Sequence, residues 1–127
     1  MNNIFVYCEI TEEHKIADVS LELISKGRKL ADQLSVKLEA LVFGSSLTGI
    51  EDQLLPFGVD VIHLADHKEL FPFRTLPHSA LVCHIFEQEK PQIALYGATS
   101  IGRDIAPRIA SVVIQLENPL EEARLCR

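Results

Sequence analysis

Four short apolar runs are spaced along this chain, each bounded by polar residues, glycine or proline. The first run, at residues 4–8, is continuous, which is typical of a strand that is buried on both faces, as in a parallel sheet. The other runs are mainly apolar and are also typical of strands. The pattern therefore predicts four strands, at residues 4–8, 38–43, 59–64 and 92–96.

Segments with helical spacing separate these runs. Apolar residues recur with a helical period between Leu21 and Leu34, in a helix that Asp18 or Ser20 is suited to cap. A glycine at position 27 inside this helix indicates close packing against the sheet. Further helices are predicted at residues 48–55, at 78–89 and from 101 onward, where Pro107 is expected to introduce a kink.

Strands that alternate with helices over a domain-sized chain of 127 residues predict an α/β fold with a single domain. Because crossovers between parallel strands are right-handed, we expect a three-layer Rossmann-like (flavodoxin-like) open parallel sheet with helices on both faces. A doubly wound sheet usually continues beyond this number of strands. We therefore expect the C-terminal part of the sheet to be incomplete.

The segment that follows the last predicted strand contains two glycines, small hydroxyl residues and two charged residues. This composition is typical of a strand that turns sharply into a helix, with Thr99 or Ser100 as the cap. Backbone N–H groups at such a turn and the positive end of the helix dipole favour an anion, such as a phosphate or a carboxylate of a partner. Glu9 follows the first strand and is expected at the same edge of the sheet. The predicted cofactor-binding or interface residues are Gly97, Thr99, Ser100, Gly102, Arg103, Asp104, Arg108 and Glu9.

A purely structural role for this turn is the alternative interpretation, and the chemistry of the residues alone favours it. Gly97 and Gly102 would then only permit the turn and close packing, and Arg103 and Asp104 would be surface groups. The turn lacks the glycine spacing of a P-loop or of a dinucleotide-binding fingerprint. The residues alone leave both interpretations open, and they indicate no catalytic residue.

The net charge of −6 argues against a nucleic-acid partner, which normally requires a basic face. No apolar run reaches the roughly 20 residues that span a bilayer, and the N-terminal residues do not resemble a signal peptide. The expected location is the cytoplasm.

Cysteines and histidines give no clear metal motif. The three cysteines are widely spaced, and Cys8 and Cys83 lie in apolar runs that predict burial. His63 and His67 are four residues apart, but His63 falls in a predicted strand, where this spacing does not bring two ligands together. The sequence therefore predicts no metal site.

The run from Gly97 to Asp104, with Ala106-Pro107-Arg108 behind it, resembles the N-terminal domain of the alpha (large) subunit of electron-transfer flavoproteins. Less specific likenesses lie at residues 4–9, 20–31 and 38–44. The resemblance covers about residues 1–111, whereas the tail at 112–127 differs from the family.

This resemblance implies a scaffold domain that pairs with a beta-type subunit in flavin-based electron transfer from dehydrogenases, and therefore an electron carrier rather than an enzyme. It also implies FAD as the cofactor. Family members bind FAD in a separate C-terminal domain, so in this case the partner is expected to hold it, if it is bound at all. A sheet edge left open also predicts self-association.

Two other hypotheses remain at this stage. In the first, the chain is a stand-alone adenine-nucleotide-binding module, in which the turn from Gly97 to Asp104 binds the phosphate and Glu9 binds a ribose or base. In the second, the chain is a fragment with no activity of its own.

Overall fold

A computed structural model describes residues 2–107. The first and second strands are β1 (Ile4–Cys8) and β2 (Leu38–Gly44), and helix α1 (Asp18–Leu34) joins them. Strand β3 (Val61–Asp66) and helix α2 (Thr75–Glu89) come next, followed by strand β4 (Ile93–Leu95). Residues 100–107 begin a further helix, α3. Short 3₁₀ turns cover Ile50–Gln53, Leu55–Phe57 and Lys68–Leu70.

The four strands form one sheet in the order β3-β2-β1-β4. Every neighbouring pair is parallel, and Phe5 of β1 lies between Glu39 of β2 and Ala94 of β4. The prediction of an α/β fold with an open parallel sheet is confirmed. Because the strands are parallel, the residues that follow β1 and β4 lie side by side at one edge of the sheet.

Helices cover both faces of the sheet, as predicted. On one face, Ile24 and Ala31 of α1 pack against Val6 and Leu38. On the other face, α2 and α3 contribute buried apolar residues to a cluster with β1 and β2. The members of this second cluster that are less than 2 % exposed are Phe5, Leu41, Phe43, Val82, Phe86 and Ile105.

Several local details differ from the predictions. Residues 48–55 do not form an α-helix: Gly49 has a left-handed φ of 77°, and the chain then forms two 3₁₀ turns, the second of which contains Pro56. Neither predicted residue caps α1, because the helix starts after Ala17 and the hydroxyl of Ser20 instead accepts a hydrogen bond from the Glu9 N–H at 2.8 Å. Strand β3 lies two residues later than predicted, and α2 begins earlier, at Thr75.

Other predictions about packing are confirmed. A methyl group on Gly27 would lie 2.9 Å from Leu38 Cδ1, so α1 approaches the sheet closely at this point. Cys8 and Cys83 are buried, and burial raises the pKa of Cys8 to about 12. Arg108 and the tail at residues 112–127, which includes Cys126, lie outside the described residues. Among residues 2–107, no helix combines the length and the apolar character needed to cross a membrane.

Candidate functional site

Glu9 and Thr99 meet at the carboxyl edge of the sheet. Glu9 directly follows β1, and Thr99 lies in the turn after β4. The Thr99 hydroxyl donates a hydrogen bond to Glu9 Oε2, with 2.6 Å between the oxygens. This contact joins two segments that are 90 residues apart in sequence.

Thr99 is also the cap of helix α3. Its Oγ1 accepts a hydrogen bond from the Gly102 N–H at 3.1 Å, and its carbonyl accepts one from the Arg103 N–H at 2.8 Å. Ser100, the other predicted cap, is instead the first helical residue and is exposed. A side-chain oxygen that bonds the third N–H of a helix satisfies a backbone group that would otherwise lack an intrahelical partner.

Both glycines of the turn are required by close contacts. A methyl group on Gly97 would lie 2.8 Å from Glu9 Oε2 and 3.2 Å from Val19 Cγ2. A methyl group on Gly102 would overlap the carbonyl oxygen of Gly97. The first turn of α3 therefore packs directly on the backbone of the preceding loop.

The charged residues of the turn face outward. Arg103 and Asp104 are exposed, and the guanidinium of Arg103 donates from Nη2 to the carbonyl of Ala98 at 3.4 Å. The structure thus brings six of the predicted site residues together with Glu9, while Arg108 lies outside the described part of the chain. Within this group, Glu9 and Thr99 form the interior of the turn, and Ser100, Arg103 and Asp104 form its surface.

The described residues at this turn do not fit a phosphate. The carboxylate of Glu9, a residue only 7 % exposed, already lies against the turn, and the Gly102 N–H is already bonded to Thr99. A phosphate of FAD or of an adenine nucleotide would meet this negative charge where a phosphate-binding helix offers only N–H groups. The arrangement is that of an internal clamp between β1 and α3.

A buried polar chain beside this turn was missed by the sequence reasoning. Tyr7 of β1 and His78 of α2 are 2.6 Å apart, from the Tyr7 hydroxyl to Nδ1, and His78 Nε2 lies 2.8 Å from the Leu70 carbonyl. A carbonyl only accepts, so Nε2 carries the proton and Nδ1 accepts from Tyr7. Burial lowers the pKa of His78, although the Leu70 carbonyl opposes this shift, and burial raises the pKa of Tyr7. The available signal was spacing, because His78 lies four and eight residues before the buried Val82 and Phe86 on one face of the helix.

Comparison with known proteins identifies a family. A family model described as electron transfer flavoprotein domain matches residues 4–113. Protein FixB from Clostridium saccharobutylicum is 42% identical over 108 residues, which are 85% of this chain and 32% of that protein. The acryloyl-CoA reductase electron transfer subunit beta from Anaerotignum propionicum is 39% identical over 109 residues, 86% of this chain and 29% of that protein.

A third relative carries the name of the subunit that the sequence resembles. The electron transfer flavoprotein subunit alpha of Thermoanaerobacterium thermosaccharolyticum is 34% identical over 109 residues, 86% of this chain and 33% of that protein. The chain spans about a third of the length of the curated relatives it matches. The family model matches most of the chain, and the parallel sheet and the glycine turn agree with this match. The chain therefore belongs to the electron transfer flavoprotein domain family.

Proposed function

We propose that this chain is the N-terminal type of domain of an electron-transfer-flavoprotein alpha subunit and that it acts as a scaffold in flavin-based electron transfer. In this proposal it pairs with a beta-type subunit, and the complex accepts electrons from a dehydrogenase. The domain is part of an electron-carrying complex and is not itself a catalyst. The observation that carries the proposal is the family match over residues 4–113.

The names of the relatives support the same role. Two of them are named as electron transfer subunits, one within acryloyl-CoA reductase and one as an electron transfer flavoprotein alpha subunit. This chain corresponds to only about a third of the length of these relatives. Their complete activities and partners are therefore assigned to it only as part of this proposal.

The geometry of the turn favours contact with protein over contact with a cofactor. Glu9 and Thr99 hold the turn from within, and the exposed Arg103 and Asp104 present a pair of opposite charges on a rigid support. Paired charges on a fixed backbone suit an interface in which complementary charges set the orientation of the partner. We assign Arg103 and Asp104 as partner contacts, and Glu9, Gly97, Thr99 and Gly102 as the residues that shape the surface.

FAD, if present, belongs to the complex. The turn does not fit a phosphate, so the proposal places the flavin on residues other than those of the turn. Bound there, FAD would supply the one-electron and two-electron chemistry of the assembly. The described domain contributes the support against which the partner is oriented.

Co-expression with a beta-type subunit tests this function. We expect a stable heteromeric complex in size-exclusion chromatography, and we expect Arg103→Glu to weaken it by at least about tenfold, the size of a lost interfacial charge contact of roughly 1.4 kcal/mol. Visible absorbance of the complex would report whether flavin is retained.

The matched control is Lys29→Glu, which makes the same reversal of charge on an exposed residue of α1. Complex formation by the control at wild-type affinity is expected. Equal weakening by both variants would point to net charge alone, and the absence of any complex with the wild-type chain would overturn the proposal.

A further inference from the structure

Glu39 is a buried carboxylate in an otherwise apolar strand. It is the second residue of β2 (Leu38–Gly44), and only 2 % of it is exposed. Burial of a charged carboxylate is costly unless partners compensate for the lost water. Two partners are present: the Asn3 side-chain amide donates to Oε2 at 2.6 Å, and His63 Nε2 lies 2.6 Å from Oε1.

His63 approaches Glu39 from the neighbouring strand. In the parallel register of β2 and β3, His63 is opposite Leu41, which places its side chain on the same face of the sheet as Glu39. Its ring packs on Phe5, with 5.6 Å between the ring centres. The position of the imidazole is therefore defined by packing as well as by the carboxylate.

A third potential ligand comes from the end of α2. Glu89 is the last residue of this helix, and one of its carboxylate oxygens lies within 4.8 Å of the ligand atoms of Glu39 and His63. The last turn of α2 contains no basic residue, although a carboxylate at the negative end of a helix dipole is unfavourable. A cation bound there would remove this penalty.

We infer that Glu39, His63 and Glu89 form a binding site for a divalent transition metal ion, with Zn²⁺ as the best match. One imidazole nitrogen and two carboxylate oxygens are ordinary Zn²⁺ ligands, and a water molecule would complete four-coordination. The site lies at the amino edge of the sheet, whereas the turn of Thr99 lies at the carboxyl edge. The metal would tie the end of α2 to β2 and β3.

The geometry requires two small rearrangements. Ligand atoms at roughly 2.0–2.2 Å from a tetrahedral zinc ion lie about 3.3–3.6 Å apart, whereas the present ligand atoms lie within 4.8 Å of one another, and His63 Nε2 is only 2.6 Å from Glu39 Oε1. Glu89 is exposed, so rotation of its side chain brings its oxygen closer, and the contact between His63 and Glu39 widens. The ring proton of His63 must lie on Nδ1 when Nε2 binds the ion, so the metal replaces the present contact with Glu39. Asn3 would remain as the partner that orients the Glu39 carboxylate.

Sequence spacing pointed away from this site. The pair considered in the sequence was His63 and His67, but His67 instead accepts a hydrogen bond from the Glu69 N–H at the start of a 3₁₀ turn. Glu39 and Glu89 are distant from His63 in sequence, and only the strand register and the placement of α2 bring them together.

Titration of ZnCl₂ into the purified 127-residue chain, followed by calorimetry, tests the inference. We expect one Zn²⁺ per chain, and we expect His63→Gln and Glu89→Gln each to weaken the affinity by about tenfold or more, because even the loss of an outer-shell partner typically costs about 10–100-fold. Co²⁺ serves as a second probe, because its visible absorption should change on binding to the wild type and not to His63→Gln.

Glu87→Gln is the matched control, since it removes the same charge from an exposed residue of the same helix turn. Wild-type affinity in this variant supports the inference. Glu89 is exposed, so the Glu89→Gln variant is expected to fold, and circular dichroism checks this. Absence of Zn²⁺ binding, or equal affinity of the wild type and Glu89→Gln, would overturn the inference and leave Glu39 and His63 as a structural hydrogen-bonded pair.

Discussion

At the scale of single residues, Thr99 does more than its place in a turn suggests. Its hydroxyl donates to the buried carboxylate of Glu9 and accepts from the Gly102 N–H, so one oxygen both partners a strand end and caps a helix. The hydroxyl proton points to Glu9, and a lone pair of the same oxygen accepts the hydrogen bond from Gly102.

We predict that Thr99→Ala lowers the free energy of unfolding by about 2–3 kcal/mol. Loss of a helix cap typically costs about 1 kcal/mol, and removal of a donor from a buried carboxylate adds about 1–2 kcal/mol. Urea denaturation of the purified chain measures the change. Thr99→Ser, which keeps the hydroxyl, should recover most of the stability.

Ser100→Ala provides the comparison for this prediction, because Ser100 is the exposed next residue. Its effect should stay within about 0.5 kcal/mol, as for most surface substitutions. A Ser100→Ala variant that loses as much stability as Thr99→Ala would show that Thr99 has no special role.

At the scale of secondary-structure elements, His78 connects three segments. Its ring lies on α2, accepts from Tyr7 of β1 and donates to the carbonyl of Leu70 at the end of a 3₁₀ turn. The ring is also 4.8 Å from the Phe73 ring, between their centres. The neutral ring satisfies both hydrogen bonds, whereas a protonated ring would lose its acceptor nitrogen.

We predict that this arrangement makes stability depend on pH. Burial lowers the pKa of His78 below its ordinary 6.5, so the unfolded chain binds a proton at a higher pH than the folded protein does. The contribution of His78 is therefore complete above about pH 6.5 and is lost progressively as the pH falls below it. Urea denaturation between pH 5 and pH 8 should show a steeper loss of stability for the wild type than for His78→Gln.

His84→Gln is the control for the pH experiment, since His84 is exposed on the same helix. This variant should keep the wild-type dependence on pH. If His78→Gln also kept it, other titrating groups would account for the loss of stability.

At the scale of the whole molecule, the carboxyl edge of the sheet distinguishes between a scaffold and a nucleotide-binding module. A self-sufficient nucleotide module needs an open anion site at the turn after β4, whereas a scaffold needs a rigid surface. Glu9 occupies the turn from inside, and the charged side chains lie outside. This distribution favours the scaffold.

We predict that calorimetric titration of AMP, ATP or FAD into the chain alone gives no saturable heat of binding. The physical reason is the Glu9 carboxylate, which would repel a phosphate at the N-terminus of α3. A nucleotide-binding protein of known behaviour in the same buffer serves as the positive control. Saturable binding to the wild type, weakened by a charge reversal at Arg103, would revive the nucleotide module.

Local pattern alone determined most of the architecture. Mainly apolar runs located the strands to within about two residues. In β1 and β2 every residue is buried, and burial on both faces favours apolar side chains at consecutive positions. The alternation of strands and helices predicted the parallel sheet, and the parallel sheet placed Glu9 and the glycine turn at one edge. These features depend on neighbours in sequence and on the rules of chain connection.

The partners of individual side chains were decided only by the tertiary structure. Glu9 bonds to Thr99, Glu39 to His63 and Tyr7 to His78 across separations of 90, 24 and 71 residues. Each pairing depends on strand register and on where a helix packs, and a shift of one residue would turn the side chain to the other face. The sequence by itself thus determined the fold and the edge where the candidate site lies. The packing places the Glu9 carboxylate inside the turn. The turn is therefore better suited to contact with a protein partner than to binding a phosphate.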